Sequence, residues 1–267
     1  MSYLPPKLQS ILQRKRVLSS NMGKSGNDYG KAIEEYCESL LTDVNLLESF
    51  NKHAQPTSPD EDYYYFYHIV SKDLCSGHGA LTSIKATRNI PQTNRGGRPK
   101  TDVSVTYTYE DGFTQRLKYS SKHSTVKLVA GGQFRVDDML DSCNIKDDRI
   151  QQLWYKFQED GSAIMFSQDD KDYMRQYMAN IGDDIWRFVL SGSTEPDCND
   201  VRIANRILKF KSDKRTGRLL NFEIHTIDSY IHKYKHNSRS TRGFGTGVSF
   251  TRASSSNGKN IQVKIPT

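Results

Sequence analysis

The sequence predicts an α/β fold, with a central mixed β-sheet flanked by helices. Three patterns carry that expectation. Residues 103–119 read as two strands joined at Asp111-Gly112. Apolar residues recur at helical spacing over 25–50 and over 146–192. From Val201 onward the pattern returns to short strands. No internal repeat interrupts the chain, and residues 1–267 are expected to form a single domain.

In chain order, Ser25-Gly26-Asn27-Asp28 is a helix start, after which Ile33, Cys37, Leu40, Val44 and Leu47 share one face to about Phe50. Residues 55–62 form a loop. The aromatic run Tyr63–Tyr67, within Tyr63–Val70, reads as a buried or edge strand, the alternative being a platform that stacks unpaired bases. Asn89–Lys100 is a loop bearing glycine and arginine. Val103–Tyr109 is rich in β-branched and aromatic residues, Asp111-Gly112 turns the chain, and Thr114–Tyr119 leads back. Helices are expected on Leu153, Trp154 and Phe157, then on Met174, Met178 and Ile181, then on Ile185, Phe188 and Val189. Strands Ile203–Phe210 and Leu219–Ile224 flank a turn at Ser212–Gly217. A short helix near Ile227–Tyr234 and a loop over 237–247 follow. The strands Val248–Ala253 and Asn260–Ile265 close the chain around residues 254–258.

Composition limits the function classes. Hydrophobic residues make up 35% of the chain and the mean hydropathy is −0.72. No apolar run is long enough to span a bilayer, and the first six residues lack the pattern of a signal peptide. Cys37, Cys75, Cys143 and Cys198 lie far apart, which argues against a disulfide framework or a zinc ribbon and fits a reducing cytoplasm. The net charge of +7 is unevenly placed: residues 201–267 hold 14 Lys and Arg against three Asp and Glu, whereas residues 1–200 hold 24 against 28. A basic last quarter on a near-neutral body is either a footprint for a polyanion or a solubilising surface. No basic amphipathic helix argues for a membrane surface.

The chemistry concentrates on Asp102 and Lys122. A carboxylate at the head of one hairpin arm and a lysine on the other can converge, holding a divalent cation beside an ammonium and an attacking water. The alternative is an ordinary surface pair. His68, His78, His225, His232 and His236 share no metal-ligand spacing, and neither a nucleophile elbow nor a phosphate-binding loop of Walker type is present. Arg95-Gly96-Gly97-Arg98 precedes a strand rather than a helix, so it is not a nucleotide cradle.

Gly96-Gly97-Arg98-Pro99-Lys100-Thr101-Asp102, the Lys122-His123-Ser124 triplet, and Gly243-Phe244-Gly245-Thr246-Gly247, Thr251-x-Ala253-Ser254 and Gln262-x-Lys264 together resemble the MspI family of type II restriction endonucleases, with a shorter echo at Gly30-Lys31-x-x-Glu34-x-Tyr36. The family falls within the PD-(D/E)XK nucleases. The similarity is dense over 96–136, the catalytic hairpin segment, and over 242–264, within the basic recognition region 201–267. It implies a restriction-endonuclease-like core, Mg²⁺ as cofactor, double-stranded DNA as substrate, CCGG as the site and 5′-phosphate ends. It also implies a bacterial cytoplasm and a methyltransferase of the same system that is not a physical partner. Monomer and dimer both stay open. A same-fold nuclease with another short target or a repair role, and a catalytically inactive DNA-binding protein, are the rival readings.

The resemblance also assigns residues. Asp102 is the metal-binding aspartate and Lys122 the catalytic lysine. Ser120 falls where the family has asparagine and most of the superfamily has a second acid; a hydroxyl is a weak ligand, so the metal leans on Asp102, the Ser121 carbonyl, phosphate and water. Glu34 either adds a carboxylate or is a helix-surface charge, whereas Glu35 is expected to face solvent. Thr251, Ser254, Gln262 and Lys264 read bases, with Gln262 and Lys264 on one strand face. The charge excess, not the resemblance, adds Arg239 and Arg242 as expected duplex contacts, joined by His123 and Ser124 of the matched triplet; a serine of the family's reading surface falls on Ala130.

Overall fold

The computed structural model of the protein describes residues 4–15, 26–93, 98–126, 128–213, 217–235, 243–253 and 260–266. Helix α1 (Pro6–Arg14) starts with proline, whose missing N–H has no partner to lose there, and buries Leu8, Ile11 and Leu12 on one face. The helix expected up to Phe50 is two: α2 (Gly26–Leu41) and α3 (Val44–Asn51). Asp43 makes the break, because its carboxylate accepts the N–H groups of Asn45 and Leu46 and caps the second helix.

The aromatic run is a helix, α4 (Asp62–Asp73), not a strand. Tyr65, Phe66, Ile69 and Val70 are buried at one-helix-face spacing, and tertiary burial of that face overrides the strand preference of the individual residues. Strand β1 (Leu81–Thr87) was not expected, and its burial alternates imperfectly because a bulge lies between Leu81 and Ser83. Then follow β2 (Val103–Tyr109), β3 (Thr114–Ser124), an unexpected β4 (Leu128–Phe134), an unexpected α5 (Val136–Ser142), α6 (Asp148–Asp160), α7 (Gln168–Asn180) and α8 (Gly182–Ser191). The chain ends with β5 (Arg206–Ser212), β6 (Leu219–Thr226), α9 (Ile227–Lys235), β7 (Ser249–Arg252) and β8 (Ile261–Pro266).

Two compact units result. The first joins residues 1–125 and 199–224. Its sheet has the order β1-β2-β3-β5-β6, with β1, β2 and β3 antiparallel in sequence and β5 parallel to β3, so the expected mixed sheet is present. Helices α1, α2 and α4 bury their apolar faces with Val103, Val105, Tyr107, Tyr119, Leu208 and Phe210 of that sheet. Within this core Asp73 pairs with Arg206 at 2.6 Å and accepts the Tyr119 hydroxyl at 2.7 Å, so the buried charge is balanced.

The second unit joins residues 126–198 and 225–267, around the antiparallel sheet β4-β8-β7. Ile261, Val263 and Ile265 point to its core, where Trp154, Phe157, Phe244 and Phe250 meet edge to face. Gly243 has to be glycine, because a Cβ there would lie 1.8 Å from the Val248 carbonyl oxygen. Residues 96–136 and 201–267, read as continuous functional segments, each contribute to both units.

Candidate active site and nucleic-acid interface

Ladder register brings the hairpin's chemistry together. Val103 lies opposite Tyr119, and the Asp102 N–H donates to the Tyr119 carbonyl at 2.8 Å, which fixes Asp102 at the head of β2 beside Ser120 and Ser121. Its Oδ2 accepts the Ser121 N–H at 2.7 Å and the Ser120 hydroxyl at 3.3 Å. Lys122 Nζ donates to the same Ser120 Oγ at 2.9 Å. Ser120 is 0% exposed, so one buried hydroxyl bridges the aspartate and the lysine. Ser120, expected in the catalytic group as a weak metal ligand, has this bridging contact that its local sequence does not reveal. Ser120→Ala removes the hydrogen bond that steadies the ammonium, worth roughly 1.5 kcal/mol for a bond to a charged group. Single-turnover cleavage should therefore slow by about tenfold, with little change in duplex affinity.

Glu34 comes from the middle of α2 and joins this group. Burial first, and then the nearby Asp102 charge, push its carboxyl up to about 7, against the pull of Arg88, Lys122 and Lys31. Burial likewise raises Asp102, opposed by Lys122, the Ser121 N–H, the Ser120 hydroxyl and Lys100. A buried carboxyl whose proton affinity is raised further by a neighbouring carboxylate has the arrangement a divalent cation relieves. Glu34 is thus not a helix-surface charge. Glu35 does not face solvent either: Arg14, Lys15 and Arg88 hold it against α2.

Lys100 lies near the same group, since its ammonium interacts with both Lys122 and Asp102. Burial and the Lys122 charge pull its ammonium down to about 7, partly offset by Asp102. Its place two residues before Asp102, at the end of the run Gly96–Asp102, was the available signal.

The donors fit a hard cation. Asp102 and Glu34 provide charged oxygens, and the Ser121 backbone lies within hydrogen-bond reach of Asp102. Among those residues no three His, Cys, Asp or Glu side chains converge, so water and phosphate would have to fill the remaining positions, as Mg²⁺ favours.

His123 and Ser124 have partners within the fold or are buried in it. The His123 ring stacks on Tyr29 at 4.2 Å and its Nε2 is 2.7 Å from Ser212 Oγ, while burial pulls its pKa down to about 4. Ser124 is buried. The His123 ring thereby packs β3 against α2 and β5.

The second unit carries the other predicted group. Gln262 and Lys264 project from the open face of β8, between the buried Ile261, Val263 and Ile265. Thr251 pairs with Gln262 in the ladder, and Ala130 and Ser249 pair with Lys264 from the two neighbouring strands, so these positions share one face. Ser254, Arg239 and Arg242 lie outside the described residues.

Several cations of the basic quarter have internal partners. Arg202 pairs with Asp200, Arg206 with Asp73, Lys209 with Glu223 and Lys235 with Asp183. The charge open to an outside polyanion is therefore smaller than the sequence balance implies.

An aspartate, a bridging serine and a lysine on one hairpin, joined by a second carboxylate and carried on a mixed sheet flanked by helices, define an endonuclease of the restriction type. Comparison with known proteins agrees. The sequence model of the family described as "Restriction endonuclease MspI" matches residues 8–265. The type II restriction enzyme MspI of Moraxella sp. is 25% identical over 248 residues, covering 91% of each chain. The type II restriction enzyme BsuFI of Bacillus subtilis is 25% identical over 249 residues, 91% of this chain and 60% of that one. The fold matches the crystal structure of restriction endonuclease MspI in complex with its cognate DNA at a TM-score of 0.80 and 21% identity, covering 96% of this chain and 97% of that one. The chain belongs to the MspI family of type II restriction endonucleases.

Proposed function

We propose that this chain hydrolyses phosphodiesters of double-stranded DNA at CCGG, with Mg²⁺, and leaves 5′-phosphates. The observation that carries the reading is the hydrogen-bonded series Asp102, Ser120, Lys122 with Glu34 beside it. Asp102 and Glu34, with the Ser121 carbonyl, would hold the cation, which when bound supplies Lewis-acid stabilisation of charge on the scissile phosphate. Lys122, steadied by Ser120, orients a water in line with the leaving O3′ and meets the charge that builds on the phosphoryl oxygens. The water oxygen bonds to phosphorus, the P–O3′ bond breaks, and the 3′ oxygen takes up a proton. Half-buried Lys100, its ammonium pulled down to about 7, would place a second amine on the Asp102 side, charged below that pH.

The test is a supercoiled plasmid incubated with Mg²⁺. Discrete fragments whose ends map to CCGG with 5′-phosphates are the expected result; a smear, or intact plasmid with a shifted band, would contradict it. A second reading, the same chemistry at a different short target, is favoured by one observation. Ala130 stands opposite Lys264 where the family's reading surface has a serine. Fragment ends mapping to one other sequence would establish it.

Glu34 gives the metal requirement a pH dependence. Without metal the carboxyl stays protonated up to about 7, so below that pH a cation must displace a proton and its apparent affinity falls. The Mg²⁺ concentration for half-maximal cleavage should rise by about tenfold per pH unit below about 7. Glu34→Gln should need more Mg²⁺ at every pH and flatten that dependence; an unchanged titration in the variant would remove Glu34 from the metal site.

Duplex affinity should also fall linearly with salt in log–log terms. With part of the basic charge internally paired, a slope of about −5 is expected, from roughly six phosphate contacts. A flat response would mean that the basic quarter does not meet DNA.

A further inference from the structure

The open face of the sheet β4-β8-β7 carries one side chain that no sequence signal picked out. Gln133 lies directly opposite Gln262 in the ladder and is exposed. It reaches that face only because of a bulge. Ala130 pairs with Lys264, Gly132 with Val263 and Gln133 with Gln262, so Gly131 is an extra residue. In a regular strand Gly132 would stand opposite Gln262, Gln133 would face Ile261 on the core side, and Phe134 would turn outward. With the bulge, Phe134 is buried against Phe188 at 5.2 Å, and Gln133 is turned out. Gly131 has no room for anything larger, since a Cβ there would lie 2.9 Å from a Val189 methyl and 3.0 Å from an Ile265 methyl.

We propose that Gln133 is a further base-reading residue, which together with Gln262 forms a pair of carboxamides spanning two strands of the recognition face. Directly opposed residues hold their Cβ atoms about 5 Å apart, so the two amides can address neighbouring base pairs in a major groove. A carboxamide supplies a donor and an acceptor at once, so it can give to guanine O6 or N7 and accept from cytosine N4. On β4 the neighbouring outward position is Ala130, which offers no polar group, so Gln133 is the side chain of this strand able to read. The inference rests on the proposed role of this sheet in binding DNA.

The test takes the duplex site mapped by plasmid digestion and every single-base substitution of it. Binding is measured in Ca²⁺ at fixed salt for the wild-type protein, Gln133→Ala and Lys264→Ala, with thermal melting as a check on folding. Gln133→Ala should melt like the wild type. Its preference for the cognate site should narrow by about tenfold at one or two adjacent base pairs, with other positions unchanged. Equal weakening on every sequence would make Gln133 a phosphate contact and overturn the proposal. So would an unchanged preference in Gln133→Ala alongside a narrowed one in Lys264→Ala, although the recognition face would then stand. If neither variant narrows, the sheet itself does not read bases.

Discussion

Alanine at Asp102 or at Lys122 should slow single-turnover cleavage at least a hundredfold, about 3 kcal/mol of barrier. The two losses have different origins. Asp102→Ala removes the carboxylate proposed to hold the cation and leaves the Ser121 N–H and the Ser120 hydroxyl without their acceptor. It should raise the metal requirement and lower the melting temperature slightly. Lys122→Ala leaves that carboxylate in place and removes only the ammonium bound to Ser120. Its effect should fall on the chemical step, with cognate binding in Ca²⁺ close to the wild type. Lys122→Arg should not restore the rate, because a planar guanidinium cannot take the position of a point charge held by a single hydroxyl. A Lys122→Ala protein that cuts at the wild-type rate would place the active centre elsewhere.

The second large effect is on specificity. Lys264→Ala should narrow the ratio of cognate to one-base-mismatch binding by roughly tenfold, with a cost of about 1–3 kcal/mol confined to the cognate site. Lys264 is exposed on β8, is flanked by buried core residues, and pairs with Ser249 and Ala130, so removing its side chain disturbs no packing. Gln262→Ala should act similarly at a neighbouring base pair. Loss of a phosphate contact would instead weaken all sequences together. The comparison therefore separates reading from attraction, and an unchanged ratio would take β8 out of base recognition.

The hairpin was legible because strand preference and the Asp111-Gly112 turn agree locally, and its register brings Asp102 and Lys122 together. Where burial decided against local preference, the sequence misled. Tyr63–Tyr67 has strand-forming residues, yet Tyr65, Phe66, Ile69 and Val70 pack as one helix face. Glu34 and Glu35 are neighbours with the same chemistry, and nothing local separates them. Only the fold brings Asp102 to the first and Arg14, Lys15 and Arg88 to the second. The roles of Ser120 as a bridge and of His123 as a packed ring likewise depend on partners distant in sequence. Strand β4 escaped notice because Gly131-Gly132 breaks its alternation, and the same break turns Gln133 outward.

The Asp102–Ser120–Lys122 centre is expected to cut DNA at one short sequence. It is tested most directly by single-turnover cleavage of an end-labelled duplex holding one CCGG, with the wild-type protein and Lys122→Ala side by side in Mg²⁺. The account predicts one cut per strand within CCGG, a 5′-phosphate on the downstream fragment, and a variant slowed at least a hundredfold while still shifting the duplex in Ca²⁺. Equal cleavage by both proteins, or cleavage scattered along the duplex, would contradict it.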